Sequence, residues 1–189
     1  MARRIAFAAL AAVATLSLVG CSGDSPEKEK SLVAFAQSTC GATTTASEAE
    51  EQLRKTYDDI ESKPSAAEQH AFVVQNVQGF IDLLGEQKAA VEKNVPEVEE
   101  GDAIVANFSK HWDARIAWAQ SQLDEFAAEV PEWGRNEDGV LIAASPLLHS
   151  VNEDSMDADL PSPYGQIEDQ DVVTALAEEP SCDDVVLVF

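Results

Sequence analysis

The sequence predicts an all-α protein: an antiparallel helical bundle with two long central helices, followed by an irregular C-terminal section. Three observations predict it. Apolar residues recur at steps of four and three from Val73 to Val91, broken only at Gln87, they recur again from Val105 to Val130, and a short stretch from Pro96 to Gly101 separates the two runs. Such spacing places each apolar series on one helix face, and a short connection forces two long helices to lie antiparallel. A chain of 189 residues with 45% hydrophobic side chains is long and apolar enough for one core.

The elements follow in order. From Glu27 to about Ser38, the residues Leu32, Phe35 and Ala36 fall at helical spacing, and Cys40-Gly41 is expected to stop the pattern. A Thr-rich turn, Thr43 to Thr45, should follow. Ser47 and Glu50 have capping-box spacing and open a second helix whose stripe is Ala49, Leu53, Tyr57 and Ile60, ending near Lys63-Pro64.

Ser65 with Glu68 repeats that signature and opens the first long helix, with Val73, Val77, Phe80, Leu84 and Val91 on one face up to Val95-Pro96. Unbroken, it would be about 45 Å long. Gly79 and Gly85 each weaken it by about 1 kcal/mol relative to Ala, and would mark a kink or a close helix approach. Asp102 is the expected N-cap of the second long helix, which presents Val105, Phe108, Trp112, Ile116, Ala119, Leu123, Phe126 and Val130 and ends at Pro131. Residues 65 to 130 thus form an αα-hairpin, with the two upstream helices as its cover. A coiled-coil homodimer would cover it too, but complementary charges at the flanking positions are few.

Beyond about residue 131 the chain reads as loop-rich. Val140 to Ala144 suits a short strand or a helical turn, and Ser145-Pro146 suits a helix start. Residues 152 to 165, acidic and carrying Pro161, Pro163 and Gly165, read as an exposed loop. Gln166 to Glu178 reads as a short helix stopped by Pro180. The apolar end, Val185 to Phe189, is expected to pack on the bundle; its Val188-Phe189 carboxylate end is also of the kind that carboxylate-capturing modules take.

Residues 1 to 20 read as an export signal and are set apart from the fold. Arg3 and Arg4 precede an apolar run, Ile5 to Val19, whose helix would span about 22 Å against a hydrocarbon core of roughly 30 Å. A cleaved signal peptide fits better than a lasting span. The run ends in Leu18-Val19-Gly20-Cys21, which resembles the lipobox of bacterial lipoproteins. The resemblance implies a diacylglycerol on the Cys21 thiol, cleavage before it, and an extracytoplasmic chain anchored in the cell membrane through Cys21. Residues 21 to 26 would then be a short tether, and 27 to 189 a single domain.

With Cys21 assigned to lipid, Cys40 and Cys182 remain, and outside the cytoplasm such a pair is expected to oxidise. A bridge would tie the irregular C-terminal section back to the first helix, constraining the unfolded chain by roughly 4 to 5 kcal/mol. Two buried free thiols are the alternative. Neither cysteine has the CxxC partner or nearby His of a metal site.

Charge restricts the partners. With 35 Asp plus Glu against 12 Lys plus Arg, the net charge is −23, and loss of Arg3 and Arg4 with the signal takes it to −25. Nucleic acid is disfavoured, because phosphate neutralisation needs clustered basic residues. Motifs for a nucleophile elbow, a zinc protease, a P-loop or a dinucleotide fold are absent, and His70, His111 and His149 are scattered. His149 and Glu153, four apart, supply two metal ligands at most. Asp154, Asp157 and Asp159 are weak acidic candidates for a divalent ion: with Asp157 first, Asp159 and Glu168 fall at EF-hand positions, but Pro161 and Ser162 occupy the places of a ligand and of the obligatory Gly.

Trp118, beside Arg115 at the edge of the apolar stripe, is a candidate partner-binding residue, as is Trp133 after Pro131. The expectation is a non-catalytic interaction module without a cofactor, meeting another envelope protein or a cationic ligand. The alternative is a lipoprotein that binds a small molecule or a divalent cation in a pocket of the bundle.

Overall fold

Helix α1 (Pro26–Ile60) begins where three local preferences agree: the Ser25 hydroxyl accepts from the Lys28 N–H at 3.2 Å, Pro26 opens the first turn, and Glu27 and Glu29 lie near the positive helix end. The structure, a computed structural model, describes residues 25–133, 137–151, 162–183 and 185. The expected break at Cys40-Gly41 and the Thr-rich turn do not occur; α1 runs through both for 35 residues. Burial overrides the weak propensities: Thr39, Cys40, Ala42 and Ala46 lie on the core face. Within the helix the hydroxyls of Ser38 and Thr43 donate to the carbonyls of Phe35 and Thr39 at 2.9 and 3.1 Å, which satisfies them locally. Ser47 is therefore a mid-helix residue and not a cap.

Helix α2 (Ala66–Glu92) starts at the expected Ser65, whose hydroxyl accepts from the Glu68 N–H at 3.3 Å and donates to the Glu68 carboxylate at 2.7 Å. Val73, Val77, Phe80, Leu84 and Val91 are buried as their spacing predicts, joined by Gln69 and Ile81. A Cβ at Gly79 or Gly85 would meet nothing within 4 Å, so neither marks a close helix approach. Gly101 does: it is buried at the turn, where a Cβ would lie 2.1 Å from the Pro96 carbonyl oxygen.

Helix α3 (Gly101–Trp133) starts at Gly101, which leaves Asp102 in the first turn instead of at the cap, and it continues past Pro131. Its core residues are Ile104, Val105, Phe108, Trp112, Ala119, Leu123 and Phe126. The bundle thus has three long helices, of 35, 27 and 33 residues, not two.

The section after residue 131 is more helical than expected. Helix α4 (Glu137–Ser150) takes in both Val140–Ala144 and Ser145-Pro146, with Pro146 inside it and Val140, Ala144, Leu147 and Leu148 buried at helical spacing. Pro146 removes the hydrogen bond to the Ile142 carbonyl, but Ile142 is 63% exposed, so water can take that acceptor. Pro163 and Tyr164, expected in an exposed loop, are buried, and Tyr164–Gln166 form a 3-10 turn. Helix α5 (Gln170–Glu178) starts later than predicted, because the Asp169 carboxylate caps it through the N–H groups of Asp171 and Val172 at 2.9 and 3.2 Å. A second 3-10 turn, Pro180–Cys182, follows α5, and Val185 packs half-buried on the core. Val188 and Phe189 lie outside the described residues.

α1 packs on α2 and α2 on α3, while α4 contacts all three and α5 lies on α1. The disulfide joins Cys40 to Cys182 with α-carbons 5.0 Å apart, holding the last turn against the middle of α1 as the cysteine count predicts. Lys28 and Asp171 form an ion pair that ties the start of α1 to α5. No strand occurs among the described residues, and no helix among them is long and apolar enough to cross a membrane. The backbones of α1 and α3 stay apart, and side chains bridge them, Phe35 against Phe108 and Glu50 against Arg115. That gap positions the site.

A candidate ligand cleft between α1 and α3

On one side of the bundle the facing surfaces of α1 and α3 stand apart and enclose a cleft of ≈ 480 Å³. The α1 wall is Thr43, Thr44, Ser47, Glu48 and Glu51, a series at steps of three and four that shares one helix face. The α3 wall is Phe108, His111, Trp112 and Arg115, of which Phe108, Trp112 and Arg115 are buried. Ser162, Pro163, Tyr164 and Val185 close one end. Ser47, Glu48, Glu51 and Ser162 are exposed, so the cleft opens to solvent along the α1 rim.

Tyr164 builds the end wall from a turn far away in sequence. Its ring meets Phe108 edge to face, centroids 5.0 Å apart, and Phe108 meets Phe35 in the same manner at 5.7 Å. The Tyr164 hydroxyl shares a 2.9 Å hydrogen bond with the Thr43 hydroxyl. Thr43 thus serves both its own helix and the cleft wall.

Arg115 forms part of the floor. It is 3% exposed, paired with Glu50 of α1, and its guanidinium lies 5.0 Å from the centroid of the Trp112 ring. A charge so deep is tolerated because a carboxylate and an aromatic face replace its water. Glu51, at the rim, bonds Lys55 at 2.6 Å, and that ammonium holds the Glu51 carboxyl below its ordinary pKa. The floor is therefore aromatic with its one cation answered, and the rim is anionic.

The residues singled out from sequence fare differently. Arg115 and Trp118 are not an exposed pair: Arg115 is buried in the cleft floor, and Trp118 is half-buried with its indole N–H donating to the Ser150 carbonyl at 2.6 Å. That bond satisfies a carbonyl at the end of α4, so Trp118 pins α4 to α3. Cys40 and Cys182 meet as expected. Cys21, the Trp133 side chain and Asp154, Asp157 and Asp159 lie outside the described residues. Among the described residues, no three His, Cys, Asp or Glu side chains converge to hold a metal ion.

Sequence reading missed Thr43, Glu50 and Tyr164. Glu50 has the spacing of a cap residue and Tyr164 sits in an acidic stretch; its one signal is a large aromatic side chain between Pro163 and Gly165. A second groove, between α1 and α2 and lined by Leu53, Phe72, Phe80 and Leu83 among others, has no ionisable residue in its lining. Of the two, the α1/α3 cleft sets charged side chains beside its aromatic floor, and an apolar floor with a few placed polar groups is the usual mark of a small-molecule site. No family model, curated protein or solved structure matches the chain, and its function is read from the chemistry of the cleft.

Proposed function

We propose that the protein is a lipid-anchored extracytoplasmic binding module, non-catalytic, that takes a small ligand in the cleft between α1 and α3. The lipobox-like Leu18-Val19-Gly20-Cys21 supports the anchor. The cleft is the observation that carries the binding role: ≈ 480 Å³ lies within the range of small-molecule sites, and its aromatic floor sits under hydroxyls and carboxylates. Docking of another envelope protein is less well supported. The large exposed apolar side chains among the described residues are Val33, Val95 and Ile142, and none of them is aromatic.

Two measurements test the proposal. Palmitate incorporation in cells should be lost in Cys21→Ala, with release of the protein from membranes; labelling that persists would remove the anchor. Native mass spectrometry of the protein from its own membranes should show a small-molecule adduct that Ser47→Trp, which fills the cleft, eliminates. A co-purifying protein partner retained equally by Ser47→Trp, with no adduct, would overturn the small-ligand reading.

A further inference from the structure

We infer that the ligand of the α1/α3 cleft is an organic monocation, an ammonium group carried on a short apolar or aromatic body. The inference rests on the proposed binding role of the cleft and specifies its chemistry.

Charge placement is the first argument. The lining carries two carboxylates, Glu48 and Glu51, and two basic side chains, Arg115 and His111. Arg115 is 3% exposed and paired with Glu50, so its charge is already answered inside the protein. Glu48 and Glu51, three residues apart on α1, project from one helix face at the exposed rim. Glu51 already bonds Lys55, as Arg115 bonds Glu50, so an anionic ligand would face the Glu48 carboxylate beside these two settled pairs. A cation would meet Glu48 directly and Glu51 in exchange with Lys55, and the net charge of −23 over the whole chain would draw it in.

The floor decides what kind of cation. The floor is built of the aromatic side chains of Trp112, Phe108 and Tyr164, and the carboxylates of the lining are those of Glu48 and Glu51. Hard metal ions take six or more oxygen ligands, which two glutamates over an aromatic floor do not provide. Aromatic faces instead attract poorly hydrated organic cations and cover their apolar bodies. The hydroxyls of Thr44 and Ser47, on the same wall as the two carboxylates, are further acceptors for ammonium N–H groups.

The probe is 2-phenylethylammonium, titrated calorimetrically into the full chain in a neutral maltoside detergent, against its neutral isostere 2-phenylethanol, the anion 3-phenylpropanoate, and calcium chloride. The cation should bind at least about tenfold more tightly than the neutral isostere, and the anion should give no heat. Glu48→Gln with Glu51→Gln should weaken the cation about tenfold or more without moving the melting temperature, because both side chains are exposed. Higher ionic strength should weaken it as well. If the neutral isostere or the anion binds as tightly as the cation, and Ser47→Trp abolishes that binding, the cleft is a ligand site but the monocation is wrong. Calcium binding that the double glutamine variant removes would also overturn it in favour of a metal. No heat from any probe would overturn the inference together with the cleft reading.

Discussion

Arg115 of α3 and Glu50 of α1 form an ion pair between two helices whose backbones stay apart. The pair bridges the floor of the cleft, with Arg115 3% exposed against Trp112. Removing one partner leaves the other's charge in a poorly hydrated site. Arg115→Met is expected to cost about 3 to 5 kcal/mol in urea unfolding, and Arg115→Met with Glu50→Leu to recover much of it. A loss under about 1 kcal/mol in the single variant would show that the pair is solvated.

The Cys40–Cys182 bridge spans 142 residues of sequence. A loop of that length restricts the unfolded chain, so Cys40→Ala with Cys182→Ala should cost about 4 to 5 kcal/mol, measured by denaturant midpoint and slope. Val185, three residues beyond the bridge, lines the cleft, so the same variant should also weaken any ligand bound there. Unchanged stability with and without reductant would mean that the packing of α5 on α1 suffices.

The His70 ring stacks on Phe126 with centroids 5.2 Å apart, and burial pushes its pKa below the ordinary 6.5. The unfolded chain therefore takes up this proton at higher pH than the folded one. The stability contributed is complete above about pH 6.5 and declines as the pH falls from there toward the folded-state value. The urea midpoint should fall more between pH 7 and pH 5 in the wild type than in His70→Gln, in which the carboxylates still titrate. Parallel pH profiles would remove His70 as the cause.

Two kinds of glycine should respond in opposite directions. Gly41 and Gly85 lie inside helices where a Cβ meets nothing within 4 Å, so Gly41→Ala and Gly85→Ala should each stabilise by about 0.5 to 1 kcal/mol. At Gly101 a Cβ would lie 2.1 Å from a backbone oxygen, so Gly101→Ala should destabilise by about 1 to 3 kcal/mol as the turn is forced open. Thermal unfolding of the three variants checks both signs.

The all-α class, the helices at Ser65 and after Pro96 and the cysteine pairing were legible in the chain, because amphipathic periodicity, capping and cysteine count are local or compositional signals. The break expected at Cys40-Gly41 failed for a physical reason: Gly and Thr penalise a helix by about 1 kcal/mol or less each, and burying Thr39, Cys40, Ala42 and Ala46 outweighs that. The same held at Pro146, where five buried positions from Val140 to Val151 carry α4 through a helix breaker.

By itself the sequence determined the helical class, the bridge and the acidic surface. Tertiary structure alone decided the cleft. Its walls come from residues 43 to 51, 108 to 115, 162 to 164 and 185, and its ion pair joins positions 65 residues apart. Periodicity reports which face of one helix is apolar. It carries no information on which two faces stand apart, and that depends on α1 and α3 both packing on α2 while Tyr164 holds the space between them.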